Sequence, residues 1–420
     1  MSFIDIGTNS TRLLVARINK DCSYTILSRQ KQLVRLGEGE FSDNILRDDA
    51  MDRGVIVTSQ FIKLARSFGT EEVVAVATSA TRDAVNRNTF LGRLRRETGV
   101  DVRVISGREE ARLIYLGVSS GINLGDQQAL FVDIGGGSTE IAIGSQHCHF
   151  FLDSIDLGSI RLSNMFFPEG NVSAVGDSEY LRICNYIRNA MADVIRECRH
   201  FRIDRVIGSS GTVVNLGEIA RRASPDRNDE DTIFISRNGI ESVSALLRSL
   251  PLKDRKRVPG INPDRADIIV CGTAILEILL KELAVDRIAV SNRGLQDGLI
   301  VDYLSQMEYF PHISDLSVRQ RSIVQIGHSY GINEFHARNV TRIALNLFDT
   351  AQTLDLHRYE NWERELLEYA SFLHDIGSFI SYSNHHLHSA YIIENTDFPG
   401  FRPGEIVIMA KIAQFHRKKP

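Results

Sequence analysis

Three short stretches set small, hydrogen-bonding residues directly after an apolar run, and each could hold a phosphate group. Gly7, Thr8, Asn9 and Ser10 follow Phe3–Ile6. Gly135, Gly136, Gly137, Ser138 and Thr139 follow Leu130–Ile134. Gly208, Ser209, Ser210, Gly211 and Thr212 follow Arg205–Ile207. Glycine lets the backbone approach an anion closely, so that successive N–H groups point at its oxygens. The hydroxyls add donors, and a helix through Val213–Arg221 would aim its positive end at the same charge. One such loop alone is more often a plain tight turn. Here the phrase D-I-G-x-x-S-T occurs at Asp5 and again at Asp133, 133 − 5 = 128 residues later. Three loops, two of them repeated with an aspartate in register, favour phosphate binding.

Asp5 and Asp133 stand at loop mouths, where a carboxylate can hold a divalent cation directly or through its waters, and Glu140 lies just past the second loop. Oxygen ligands select Mg2+, with Mn2+ as the alternative. Carboxylates in turns also cap backbone N–H groups; the recurrence of the aspartate favours the metal. Ser106-Gly107-Arg108-Glu109 has the S-x-x-E form of a helix capping box. Glu109 is then occupied with the cap, and Glu110 points elsewhere. In a partly desolvated cleft Glu110 would have a raised pKa and suit a general base for water. The plainer role is a favourable charge at a helix N-terminus.

These residues need elements to hold them. The chain reads as strand, turn and strand over Phe3–Ile6 and Leu13–Ala16, then a helix near Asp48–Phe68 and a buried strand at Val73–Ala77. A strand at Asp101–Ile105 leads to a helix from about Glu109 to Val118. The opening phrase returns at Leu130–Ile143, and further strands are expected at Arg205–Ile207 and Asp267–Val270. Short β runs alternating with amphipathic helices indicate an α/β domain, and the repeat indicates two similar lobes facing one cleft. Beyond Pro311 the pattern turns helical. The expected domains are 1–120, 121–305 and 312–420, with a boundary near 305–315.

The chain has 420 residues, 43% hydrophobic and 24% charged, which is room for two or three ordinary globular cores. No apolar run approaches the roughly 18 residues that span a bilayer, and no signal peptide is evident, so a cytoplasmic protein without a membrane span is expected. Cys22, Cys148, Cys184, Cys198 and Cys271 form no C-x-x-C pair, which argues against a disulfide framework or a thiolate zinc site. Net charge is −4, and no nucleic acid is expected as a partner. Arg93, Arg95 and Arg96, the run Lys253, Arg255, Lys256 and Arg257, and Arg417, Lys418 and Lys419 read as solvated faces rather than a substrate track.

D-I-G-T-N-S at the start, A-T-S-A-T-R at 77–82, I-S-G-R-E-E-A-R-L-I-Y at 105–115, D-I-G-G-G-S-T-E at 133–140 and G-S-S-G-T at 208–212 resemble the exopolyphosphatase/guanosine pentaphosphate phosphohydrolase (Ppx/GppA) family. The resemblance covers about residues 1–302. It implies two ribonuclease-H-like lobes around a central cleft, the α/β fold of actin, sugar kinases and heat-shock ATPases. It implies Glu110 as the base for the attacking water, Arg82 on phosphate, and metal-associated carboxylates at Asp133 and Glu140 with Asp5 nearby. The implied reaction is removal of the terminal phosphate of inorganic polyphosphate, with guanosine pentaphosphate as the alternative substrate. A non-catalytic actin-like sensor is the alternative of another class, and a homodimer is expected by analogy. Residues 294–298 depart from the family pattern, reading G-L-Q-D-G where Arg-Glu more often precedes the last glycine.

In the tail, His374-Asp375, with His336 upstream and His388 and His416 downstream, resembles the HD phosphohydrolase helical domain. Imidazole and carboxylate together suit one or two divalent metals. A complete set of that kind has a later aspartate, and the chain stops at Pro420, so a partial HD-like domain is expected.

Overall fold

The computed structural model describes residues 1–20, 22–170, 172–223, 234–307, 316–396 and 398–417. The expected boundary at 305–315, with Pro311, and the basic residues Lys418 and Lys419 lie largely or wholly outside them. The chain divides into two units. The first comprises Met1–Ala16, Ile26–Ser120 and Leu124–Tyr303, and the second Arg17–Thr25, Gly121–Asn123 and Leu304–Pro420.

The first unit holds two sheets built on one plan. In the first, β1 (Ser2–Ile6), β2 (Ser10–Ile18) and β3 (Tyr24–Leu33) are followed by β4 (Val73–Ala77) and β5 (Val102–Val104), in the order β3-β2-β1-β4-β5. In the second, β6 (Ala129–Ile134), β7 (Thr139–Gly144) and β8 (His149–Ile155) are followed by β9 (Arg205–Ser209), β10 (Phe234–Ser236) and β11 (Arg287–Val290), in the order β10-β11-β9-β6-β7-β8. β1 pairs antiparallel with β2 and parallel with β4; β6 pairs antiparallel with β7 and parallel with β9. The repeat extends to the register. Asp5 faces Arg12 and Ile6 faces Thr11, while 128 residues on Asp133 faces Glu140 and Ile134 faces Thr139. These are two ribonuclease-H-like lobes around a cleft.

Each lobe buries its own apolar set. Ile4, Leu13, Met51, Phe61 and Phe90 belong to one, and Val132, Ile143, Ile187, Leu216 and Ile275 to the other. The expected strand at Asp267–Val270 is instead the entry to a helix, Ile269–Glu282. A short apolar run does not distinguish a strand from a helix buried on all sides; this helix has eleven buried residues, and β11 takes the place beside β9.

The helix Gly107–Ser119 carries Glu110. Ser106 caps it by accepting from the N–H of Glu109 at 3.2 Å, but Glu109 does not return the bond as a capping box requires. Its carboxylate takes Arg112 at 2.8 and 2.9 Å. Although it falls within the expected first lobe, the helix packs on the second: Tyr115 meets Phe131 edge-on at 5.3 Å and donates to the Ser145 carbonyl. Its other neighbour is the helix Leu295–Leu304. A Cβ on Gly117 would stand 2.2 Å from the Gly294 carbonyl oxygen, and one on Gly298 would stand 1.8 Å from that of Leu113. The departure at 294–298 thus keeps the glycines that let two helix backbones touch. Of the two changed residues, Asp297 accepts from the N–H of Gly294 and pairs with Arg29 at 2.6 Å.

The second unit contains the helices Val318–Ser329, Glu334–Thr353, Asn361–Leu373, His385–Glu394 and Pro403–Phe415. Ile323, Leu366, Leu373, Ile393, Met409 and Ala413 form its core. Arg319, buried among them, meets both carboxylate oxygens of Glu405 at 3.0 Å. Among the described residues, no helix is long and apolar enough to cross a membrane.

Candidate active site

The turns of the repeated hairpins close in the same way, the N–H of Gly7 donating to the Ser10 carbonyl at 3.1 Å and that of Gly135 to Ser138 at 2.9 Å. They lie against each other. A Cβ on Gly136 would come within 2.9 Å of Thr8 Cβ, and one on Gly137 within 2.3 Å of Ser79 Oγ. Glycine is therefore required here for the approach of the two loops. One pocket is lined by Asp5, Gly7, Thr8, Asn9, Ser10, Glu110, Asp133, Gly135, Gly136, Gly137, Ser138, Ser210 and Gly211.

The third loop contributes only its tip. Gly208 and Ser209 end β9, Ser209 donating to Asp133 Oδ2 at 2.5 Å. Thr212 donates to the Ile134 carbonyl, and Thr139, also assigned to phosphate from sequence, is fully buried with its hydroxyl on the Leu157 carbonyl at 2.6 Å. These four scaffold the pocket without lining it, because each sits on a strand or helix whose neighbours take its donor. Ser210 holds φ 85°, in the left-handed region that costs a side chain strain, and opens the helix Ser210–Ala223. Its Oγ accepts from the N–H groups of Thr212 and Val213.

Four carboxyl groups gather at this pocket with little water, and their pKa values show the cost. Asp5 is pushed up to about 6 by burial and by Asp133, against the pull of Arg12. Glu140 is pushed up to about 7 by burial and by Asp133, although Ser138 and Ser154 hydrogen-bond to it. Asp133 is raised by burial despite Ser209. Glu110 is raised well above the usual carboxylate range by burial, by Glu140 and by Asp5. Asp5 Oδ1 is buried with no hydrogen-bond partner. Glu140 stands behind the pocket, beside Asp133 across the β6–β7 pair and on the same face. An orphaned buried carboxylate oxygen among four mutually repelling carboxyls fits a divalent cation with oxygen ligands, with Asp5, Asp133 and Glu140 as the residues that would hold it.

Arg82, expected on phosphate, stands beside the pocket and is paired with Glu110. Its Nη1 donates to Glu110 Oε2 at 2.9 Å and lies 3.4 Å from the Ile105 carbonyl. The helix Ser79–Asp83 turns it toward the Glu110 helix, where the charge of a buried glutamate is the nearest demand. The cations that do line the pocket are Arg12 and Arg265. Arg12 sits in the register position facing Asp5, immediately after the first motif, where it was legible. Arg265 ends a short 3-10 helix, Pro263–Arg265, with no motif around it. It is buried, with Nε and Nη1 unpartnered and its pKa lowered to about 10 by desolvation and by Arg12. A Cβ on Gly211 would strike its guanidinium at 2.5 Å.

In the second unit His336, His374 and His416 do meet around Asp375, but His388 is absent from the cluster and His385 takes its place. Both belong to the helix His385–Glu394; His385, its first residue, places Nε2 3.1 Å from Asp375 Oδ1.

The Ppx/GppA phosphatase family matches residues 14–307, and domain III of the Ppx/GppA phosphatases matches residues 318–420. Among solved structures, an exopolyphosphatase from Cytophaga hutchinsonii is 27% identical, covering 73% of this chain and 98% of its own, with a TM-score of 0.67. A Ppx/GppA family member from Aquifex aeolicus is also 27% identical, with the same coverage and a TM-score of 0.60.

Proposed function

The chain belongs to the Ppx/GppA phosphatase family, a hydrolase class acting on phosphoanhydride bonds, and from that premise we propose that it is an exopolyphosphatase. One observation carries the mechanism: Glu110, buried with its pKa raised, lies in the same pocket as the phosphate-cradling turns. The terminal phosphoryl group would rest in the turns at Gly7–Ser10 and Gly135–Ser138, held by backbone N–H groups and by the hydroxyls of Thr8, Ser10 and Ser138. Glu110 would accept a proton from the water that attacks the phosphorus in line, the bridging oxygen leaving on the far side. Arg12 and Arg265 would meet the growing negative charge. Arg82 would hold the Glu110 carboxylate in place and favour its ionised form, a positioning role. Mg2+, held by Asp5, Asp133 and Glu140, would supply charge stabilisation on the phosphate oxygens.

Polyphosphate suits a pocket whose lining has no aromatic side chain to stack on a base. Guanosine pentaphosphate is the second reading, favoured by one feature. A neighbouring depression that shares Asn9 is lined by Arg35, Arg47 and Phe167, which offers a ring beside two guanidinium groups.

The test is phosphate release from long-chain polyphosphate and from guanosine pentaphosphate with Mg2+, for the wild type and Glu110→Gln. The expected result is release from polyphosphate that drops about 10²–10⁴-fold in the variant, with substrate binding retained. Unchanged release would remove Glu110 from the chemistry. Release from guanosine pentaphosphate alone would move the assignment to the second reading, and release from neither to a non-catalytic sensor.

A further inference from the structure

The second phosphate turn is held from behind by the start of a helix, Ser159–Phe166. A Cβ on Gly158 would stand 2.3 Å from the Gly136 carbonyl oxygen, so the missing side chain lets the helix approach the turn. The N–H groups that open a helix have no partner within it. Here they take the carbonyls of the turn: Ser159 N–H donates to Gly135 at 3.0 Å, and those of Ile160 and Arg161 donate to Gly136 at 2.8 and 3.1 Å. The next carbonyl, of Gly137, takes the Arg161 side chain, Nε donating at 2.7 Å. In a trans peptide the N–H points opposite to the C=O. Holding three successive carbonyls therefore turns the N–H groups of Gly136, Gly137 and Ser138 away from the helix, and all three residues line the pocket. Two of the carbonyls are held by main-chain groups that any residue would supply. The third is held by a side chain.

The far end of that guanidinium reaches the other lobe. Arg161 Nη2 pairs with Asp83 Oδ2 and lies 3.5 Å from Ser79 Oγ and 3.5 Å from Asp156 Oδ1. The guanidinium also covers the Phe41 ring, 4.1 Å from its centre. The other oxygen of Asp83 stands 3.6 Å from Arg82 Nε, and Arg82 meets Glu110 at 2.9 Å. Contacts thus run from the Gly137 carbonyl through Arg161, Asp83 and Arg82 to the base. Glu40 stands near this line, fully buried, with neither carboxylate oxygen hydrogen-bonded among the described residues. Burial and Asp83 push its pKa up to about 8 against the pull of Arg161, so at neutral pH it is largely uncharged and leaves Asp83 as the partner of the guanidinium.

Resting on the exopolyphosphatase reading of the cleft, we propose that Arg161 is a positioning residue that fixes the second phosphate turn against Glu110 by way of Asp83 and Arg82. Its two ends do different things. Nε sets the direction of the Gly137–Ser138 peptide, and so of one donor to the terminal phosphoryl group. Nη2 ties that turn to the short helix Ser79–Asp83 of the other lobe, from which Arg82 reaches the base. A guanidinium serves both because its donors diverge from a rigid plane, whereas an ammonium is a single point of charge. In-line attack needs the phosphorus and the water on the base at a set separation, and a misplacement of about 1 Å costs about 10²-fold in rate. The contribution is therefore to the rate of the bound complex more than to capture of a long chain, most of whose phosphates lie outside the turn.

The test uses the full chain with Mg2+ at pH 7 and two readouts, phosphate release from long-chain polyphosphate and binding of inorganic phosphate. Wild type is compared with Arg161→Gln, Arg161→Lys, Asp83→Asn and the Arg161→Gln/Asp83→Asn double variant, each value expressed per folded molecule from its thermal unfolding curve. In Arg161→Gln, kcat should fall about 10- to 100-fold while KM for the polymer stays within about threefold. Inorganic phosphate should bind that variant about tenfold more weakly, the loss of one hydrogen bond to a charged group. Arg161→Lys should not restore kcat, and Asp83→Asn should lower it less. The double variant should be no slower than Arg161→Gln, because residues acting as one unit are not additive. Unchanged kcat and phosphate affinity in folded Arg161→Gln would overturn the proposal. Full recovery in Arg161→Lys, or losses that add in the double variant, would also overturn it and leave Arg161 as an ion pair between the lobes. A wild type that binds phosphate but releases none from polyphosphate refutes the exopolyphosphatase reading alone, and the phosphate affinity of Arg161→Gln then decides the role of Arg161.

Discussion

Glu110 and Arg82 act as a pair, and the chemistry assigned to one depends on the other. The guanidinium lowers a carboxyl pKa that burial and two neighbouring carboxyls raise. Arg82→Ala should therefore push the Glu110 pKa further up, so that more of the base is protonated at neutral pH. The expected outcome is a fall in phosphate release of about tenfold or more near pH 7, partly recovered at higher pH, with the acid limb of the rate profile displaced upward. A uniform loss at every pH, with the limb unmoved, would assign Arg82 to phosphate rather than to the base.

At the scale of elements, Glu110 depends on a helix crossing that admits no side chain. The Gly298 backbone lies against Leu113, one turn beyond Glu110, so Gly298→Ala must separate the helices Gly107–Ser119 and Leu295–Leu304. Overpacking of this kind costs about 1–3 kcal/mol. The expected outcome is a lower unfolding midpoint in urea together with a loss of activity larger than the loss of phosphate binding, because the turns that cradle phosphate belong to other elements. Unchanged activity in the folded variant would show that the crossing does not set the position of the base.

For the whole molecule, the buried carboxyls link stability to pH and to metal. Asp5 rises from an ordinary 3.8 to about 6 and Glu140 from 4.5 to about 7. A carboxyl whose folded pKa is raised favours the folded state most below its unfolded value, and that contribution is lost as pH rises through the folded value. The metal-free protein should thus lose stability between about pH 4 and 7 from these groups, against whatever the rest of the chain contributes. Mg2+ should restore it above pH 7, seen as a thermal midpoint that rises with metal there and changes little near pH 5. Asp5→Asn with Glu140→Gln should flatten both effects. A metal response equal at the two pH values would contradict this linkage.

Most of the pocket's lining was legible in the chain because turns are local. The D-I-G-x-x-S-T repeat encodes two hairpins whose hydrogen bonds close within four residues, and their paired registers follow from the same spacing. The two-lobed fold follows from that repeat. What the sequence could not decide depended on which distant groups meet. Arg82 pairs with Glu110, Arg265 arrives from a 3-10 turn with no motif, and His385 rather than His388 joins the cluster. The run at Asp267 opens the helix Ile269–Glu282, whose buried apolar residues hydrophobic periodicity does not separate from a buried strand. Burial and the direction of a side chain are properties of the packed chain, and they set the charge of Glu110 and the membership of the histidine cluster.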